Sequence, residues 1–351
     1  MQFFSENRIL HTIMSVFGFV SGKQTGYGLL LTLILSVSSF SGWAQNHQSD
    51  SVNHHQRLPF FATAPKPNPV RITGLSSAIV LSYSAAMIGL NKAWYAQYPR
   101  SAFHFFNDNG EWNQIDKIGH SWTAYSESLY AIKLYRWSGV SEKKAVWIGG
   151  TCGFVFQMGI EVLDGFSEKW GASSGDIIAN TAGSAFVISQ ELIWKEQKVR
   201  LKFSSSQVSY RHYPPEVQER IEQLYGNSFR EKLLKDYNGQ SYWLSFSPLL
   251  FSPNRETRFP DWLNIAIGYG ADGLLGGFEN KWTDEDGNTH DFSHISRKRT
   301  YYLSADINLS RIKTRSKLLK TIFEAVNVLK IPAPAISLSN SGDFKAYWLY
   351  W

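Results

Sequence analysis

Apolar residues recur with a helical period along three long segments of this chain, and in its last third the period shortens to two. The helical pattern predicts helices over residues 114–137, 141–163 and 173–195. Ser141 suits an N-cap, with Glu142 in the first turn, and Ser173 with Asp176 has the spacing of a capping box. An earlier stretch, residues 72–91, runs without a charge between Arg71 and Lys92. At 1.5 Å per residue it covers about 30 Å, the thickness of a bilayer core. Its several Ser, Thr and Gly residues leave a buried helix of a polar-lined bundle as the competing assignment. Short connections make these four segments neighbours in one helical unit.

Beyond Lys202 the character changes. Residues 215–225 form a short amphipathic pattern stopped by Gly226, and Ser228 with Glu231 opens another short helix. From Tyr242 onward Leu263, Ile265, Ile267 and Tyr269 alternate with Asn264, Ala266, Gly268 and Gly270. Tyr301, Leu303, Ala305 and Ile307 alternate in the same way with Tyr302, Ser304, Asp306 and Asn308. These are strands with one apolar face. About five or six strands are expected after Gly239, with a helix interposed near residues 318–329. The chain ends in Tyr347-Trp348-Leu349-Tyr350-Trp351, an aromatic strand like those closing outer-membrane barrels. Single-chain barrels use about eight strands or more, so a small β-domain lying on a membrane, or packed on the helices, stands beside the barrel as an alternative.

The predicted fold class is therefore α+β: an N-terminal bundle of about four helices followed by a β-rich C-terminal domain. The expected boundaries are a signal segment at 1–44, a linker at 45–70, the bundle at 71–202, a helical connector at 203–239 and the β-rich domain at 240–351. The signal assignment rests on Arg8 and Lys23, the apolar run 29–37, and small residues at Gly42 and Ala44. Cleavage is expected after Ala44, with Met14 as an alternative start. His47, His54 and His55 fall in the linker, where a solvated tether explains them better than a metal site.

Composition narrows the partners. The net charge of +6 is spread out rather than gathered into a basic patch, which argues against nucleic acid. An aromatic content of 15%, with 13 Trp, fits a protein that meets a membrane interface. The expected partners are membrane lipid or another envelope component, and the oligomeric state is left open. The one cysteine, Cys152, lies in an apolar stretch and reads as a packing residue.

Polar residues interrupt all three long helices. Asp116 and His120 share a face four residues apart, with Lys117 beside them and Glu127 two turns beyond. Gln157, Glu161 and Asp164 form a second stripe, and Asp176, Asn180 and Gly183 a third, with Ser173 at its start. Buried ionisable groups must find partners, so the three stripes are expected to meet, with Gly183 allowing close helix approach. Three chemistries compete for such a pocket. His120, Glu161 and Asp164 have the donor types for a divalent metal that activates water. Alternatively Asp116, His120, Glu161, Asp164 and Asp176 act as acids and bases on a lipid or cell-wall precursor. The third alternative, which the sequence favours, is a structural network that fixes helix register. A cleft holding an amphiphile along residues 72–91 is a further option.

The order Asp116-Lys117-x-x-His120, Glu161-x-x-Asp164 and Ser173-x-x-Asp176-x-x-x-Asn180-x-x-Gly183 resembles the VanZ-like and YfiM-like group of bacterial envelope proteins. With Tyr242 to Ser245 as a later strand, the layout is similar to a family of unknown function described as predicted periplasmic lipoproteins. That resemblance implies a periplasmic address, associated here with the outer membrane, and no settled reaction. It also implies a lipidated Cys, which has no counterpart near residue 44. Weaker motifs have plainer explanations. Asp284-x-Asp286-Gly287-Asn288 departs from a calcium loop and suits a hairpin turn. Ser167 and Ser173 lack the surroundings of a nucleophile elbow, and Gly268-Tyr269-Gly270 lacks phosphate-loop spacing.

Overall fold

The structure is a computed structural model, and it describes residues 59–96, 98–251, 260–284 and 286–351. The expected signal segment and residues 45–58 of the expected linker lie outside the described residues. The chain divides into two compact units, one containing residues 67–97 and the other residues 57–66 and 98–351.

In the first unit α1 (Pro69–Leu90) places proline in its first turn, where a missing N–H costs nothing, and Asn68 caps it by accepting from Arg71 N at 3.0 Å. Of its residues only Met87 is buried. By length and composition α1 could cross a membrane, and so could α3 below.

The second unit is built on α2 (Ile115–Trp137), α3 (Glu142–Gly165) and α4 (Ser174–Trp194). Tyr125, Leu129 and Ile132 of α2 pack with Val146 of α3 and Val187 and Ile188 of α4 in one buried cluster. The backbones approach until they touch. A Cβ on Gly183 would stand 2.1 Å from the Ser121 carbonyl oxygen, and one on Gly153 2.0 Å from that of Ala124. Ser128, buried at this crossing, donates to the Gly150 carbonyl at 2.6 Å. Ser141 precedes α3 but makes no side-chain cap, unlike Ser173 before α4.

A six-stranded antiparallel sheet follows, in the order β1-β2-β3-β6-β7-β8. Its strands are Val199–Ser205 (β1), Gln240–Phe246 (β2), Leu263–Asp272 (β3), Lys298–Ile307 (β6), Ala333–Ser339 (β7) and Phe344–Tyr350 (β8). Lys281–Thr283 (β4) and Thr289–Asp291 (β5) form a separate hairpin, whose turn is tied by Asp284 accepting from Asn288 N and facing His290. Helices α5 (Pro215–Tyr225) and α6 (Phe229–Lys235) join β1 to β2, and α7 (Lys317–Val326) joins β6 to β7. Ser228 and Glu231 complete the capping box of α6.

The α+β class is as expected, helices over residues 69–194 being followed by a β-rich region. The expected bundle–connector boundary at residue 202 falls inside β1. Arg200, Lys202 and Ser204 are buried there, and strand polar residues facing inward disguise a strand as a charged tail. Trp122 of α2 packs against Phe203 of β1 and Tyr242 of β2, with ring centroids 5.0 and 6.2 Å away. Helix α2 is thus the bundle helix that packs on the sheet.

The sheet is polar inside. Lys202 and Asp306, both without solvent exposure, pair at 2.7 Å. Ser245 donates to Asp306 at 2.5 Å and Asn264 to Ser245 at 3.0 Å. Ser241 of β2 meets the Tyr350 hydroxyl of β8 at 3.0 Å, so the sheet curls far enough for its second and last strands to touch through side chains. On the opposite face Leu244, Ile267, Leu303 and Ile336 stand in one registered row across β2, β3, β6 and β7, all exposed.

Candidate functional site

The first turn of α2 points Asp116, Lys117 and His120 at the N-terminus of α4 and the last turns of α3. Lys117 Nζ is the hub: it lies 2.6 Å from Asp108 Oδ2, 2.8 Å from Asp176 Oδ1 and 3.3 Å from Asp116 Oδ2. His120 Nε2 stands 3.7 Å from Asp176 and 4.0 Å from Asp116, and its Nδ1 faces Asn180 Oδ1 at 3.2 Å and Glu161 Oε1 at 3.9 Å. Asp116 also accepts from the Tyr237 hydroxyl at 2.6 Å. One ligand atom each from Asp116, His120 and Asp176 falls within 4.8 Å of the others.

The capping explanation for Asp176 is half right. Ser173 Oγ accepts from Asp176 N at 3.1 Å, as a cap should. The reciprocal bond, to Ser173 N, comes from Glu161 Oε2 at 2.9 Å instead. Glu161 thereby frees the Asp176 carboxylate to face Lys117 and His120. Ser173 Oγ in turn donates to Asp108.

Asp164 stands apart from the converging set. It acts on Glu161 through space, but the carboxylates that converge on His120 for metal ligation are Asp116 and Asp176. Three residues along α3 is about 4.5 Å along its axis, so Asp164 sits a turn beyond the level of Glu161. Glu127 and Gln157 form a separate pair, with Gln157 donating to Glu127 at 3.0 Å. Asp108 and Tyr237 join the cluster without having been anticipated. Asp108 sits in an Asn-Asp-Asn-Gly loop and Tyr237 comes from a turn 121 residues from Asp116, and neither has a periodic signal.

Burial and charge pull these groups apart. Burial pushes the Glu161 carboxyl up to about 7, and burial with the adjacent Asp116 raises Asp176 to about 7 as well. Burial opposes the charge on Asp116 too, but His120, Lys117 and the Tyr237 bond outweigh it and hold its carboxyl below the usual range. Burial likewise disfavours charge on His120 and Lys117, yet the surrounding carboxylates win and raise both. The cluster therefore favours the charged forms of His120 and Lys117, and the protonated forms of Glu161 and Asp176 below about 7. Among the described residues, three atoms of the cluster are buried without a hydrogen-bond partner: Glu161 Oε1, Asn180 Nδ2 and Asp176 Oδ1, the last of which still faces the Lys117 ammonium at 2.8 Å. The thiol of Cys152, pushed up to about 12 by burial, donates to Ile148 O inside α3 and takes no part in the site.

Fold and site together define an α+β protein whose helical half holds a half-buried His–Lys–carboxylate cluster. Residues 104–190, which span α2, α3 and most of α4, match a family model described as "Predicted periplasmic lipoprotein (DUF2279)". Asp108, Asp116, Lys117, His120, Glu161, Asp176 and Asn180 all lie within the match. No curated protein and no solved structure matches the chain. The family description fits an exported envelope protein of unassigned biochemical role.

Proposed function

We propose that this is an outer-membrane-associated envelope protein, whose curled sheet rests its apolar outside on lipid while the helical cluster stays on the aqueous side. One observation carries the reading: the polarity of the sheet is reversed relative to a soluble domain. A buried Lys202–Asp306 pair fills its inside, and the outside carries the exposed row Leu244, Ile267, Leu303 and Ile336. Apolar-out, polar-in alternation is the arrangement that lipid selects, and a contiguous exposed apolar patch marks an interaction surface. An open groove of about 880 Å³ on that face, lined by Ile265, Leu303, Ile336 and Trp348, adds room for an acyl chain. Among the described residues, β8 is an open edge of the sheet, and β1 is bridged on its outer side only at Phe203, by residues 328–330; unpaired strand edges are excluded from hydrocarbon. It therefore lies on the bilayer rather than crossing it. Cell fractionation tests the address, and vesicle flotation tests the contact. Recovery with the soluble periplasmic fraction, together with no flotation, would defeat the reading.

Within it, the cluster serves as a charge network that fixes the register of α2, α3 and α4. A second reading, favoured by the unsatisfied acceptors Glu161 Oε1 and Asp176 Oδ1, is that Asp116, His120 and Asp176 would hold a divalent cation, which would supply an activated water for a lipid or cell-wall substrate. Manganese or zinc raising the Tm of the parent but not of His120→Ala would support it. Equal behaviour of the two proteins would remove it.

A further inference from the structure

Helix α7 faces the wrong way for a helix packed on a water-soluble domain. Leu318, Leu319, Ile322 and Val326 fall along one side at helical spacing, and they are 54%, 38%, 45% and 37% exposed. The only acid of the helix, Glu324, points inward and pairs with Lys133 of α2. Tyr130 of α2 donates to the Ala325 carbonyl just beyond it. Ser316 caps the N-terminus by accepting from Leu319 N at 3.2 Å, and buried Asn327 beyond the C-terminus donates to Asn308 Oδ1 at 2.8 Å. Polar contacts thus hold the helix with its apolar side outward.

Charge says what covers that side. Lys313, Arg315, Lys317 and Lys320 are all exposed, and no Asp or Glu occurs between residues 311 and 323. Arg311, at the start of the run, pairs with Glu196. An apolar stripe alone would suit a protein groove or a bilayer equally. A stripe joined to a run of cations without a single intervening acid suits a surface of dense negative charge.

The geometry points to α7 as an in-plane anchor for an anionic lipid bilayer, its stripe at the headgroup–acyl boundary and its lysines and Arg315 among the lipid phosphates. This deepens the membrane reading of the sheet and rests on it for location, but it adds a charge preference that the uncharged sheet face cannot supply.

Flotation of the full chain separates the two. The vesicles are phosphatidylcholine alone, or phosphatidylcholine with phosphatidylglycerol, at low and high salt. The parent should prefer the anionic vesicles, and salt should erase the preference. Arg315→Gln with Lys317→Gln and Lys320→Gln should lower partition onto anionic vesicles more than about tenfold, leaving neutral vesicles unaffected. Leu318→Ser with Ile322→Ser should lower partition onto both. Unchanged thermal unfolding of these surface variants would confirm that the sheet and bundle are intact. A parent that floats equally with both vesicle types, and a charge variant that matches it, would overturn the role of α7 while the sheet reading stands. A parent that floats with neither would overturn both.

Discussion

Replacing Glu161 by Gln isolates the electrostatics of the cluster. The amide keeps the shape of the side chain and an oxygen for the Ser173 N–H bond at 2.9 Å, and it removes the titrating group. Burial lifts the Glu161 carboxyl from 4.5 to about 7, so the folded state holds a proton that the unfolded chain has released. Folded protein therefore loses stability as pH rises from about 4.5 to about 7, and the loss amounts to roughly 3 kcal/mol at about 1.4 kcal/mol per pH unit. In the variant this loss is absent. Urea unfolding followed by tryptophan fluorescence, at intervals from pH 4.5 to 8, gives the difference between the two proteins and cancels titrations elsewhere. The expected result is a difference that moves in favour of Glu161→Gln by about 3 kcal/mol across that interval, less whatever attraction to protonated His120 the amide forfeits. Two stability curves that stay parallel would refute a proton held at Glu161. Movement in favour of the parent would reverse the sign of the argument.

Other consequences are more local. Gly183→Val should destabilise by about 1–3 kcal/mol or more, since its Cβ would collide with the Ser121 carbonyl; a Tm equal to the parent would mean that α2 and α4 do not touch there. Lys202→Met removes the nearer of the two buried lysines facing Asp306, at 2.7 Å, and leaves only Lys330 at 3.9 Å; it should cost about 3–5 kcal/mol, and the shift of the denaturant midpoint reads this directly. Tyr237→Phe removes one of the bonds that keep Asp116 ionised, so the acid limb of unfolding should move to higher pH.

Much of the cluster was legible because helices impose a period. Four-residue spacing put Asp116 and His120 on one face, and Gly183 marked a close crossing before any coordinate did. Contributions from loops were not legible: Asp108 and Tyr237 reach the site through turns whose residues suit any solvated loop. Asp176 misled in a different way, because the capping pattern at Ser173 is satisfied by Glu161, a residue from another helix. In the sheet, alternation separated two faces at Leu263–Tyr269 and Tyr301–Leu309 without saying which one is inside. A strand buried on its apolar face and a strand buried on its polar face have the same period. Only the placement of Lys202, Asp306 and Asn264 against one another decides between them, and that depends on three successive strand pairings whose partners lie 19 to 47 residues apart in sequence.

A spin label on the outer row addresses the reversed polarity of the sheet most directly. With Cys152→Ser as background, Leu303→Cys carries the label and the labelled protein is mixed with phosphatidylcholine–phosphatidylglycerol vesicles. Seating on lipid predicts that collisions with dissolved oxygen rise and those with a water-soluble nickel chelate fall when vesicles are added. A label that the chelate reaches equally well with and without vesicles would contradict the account.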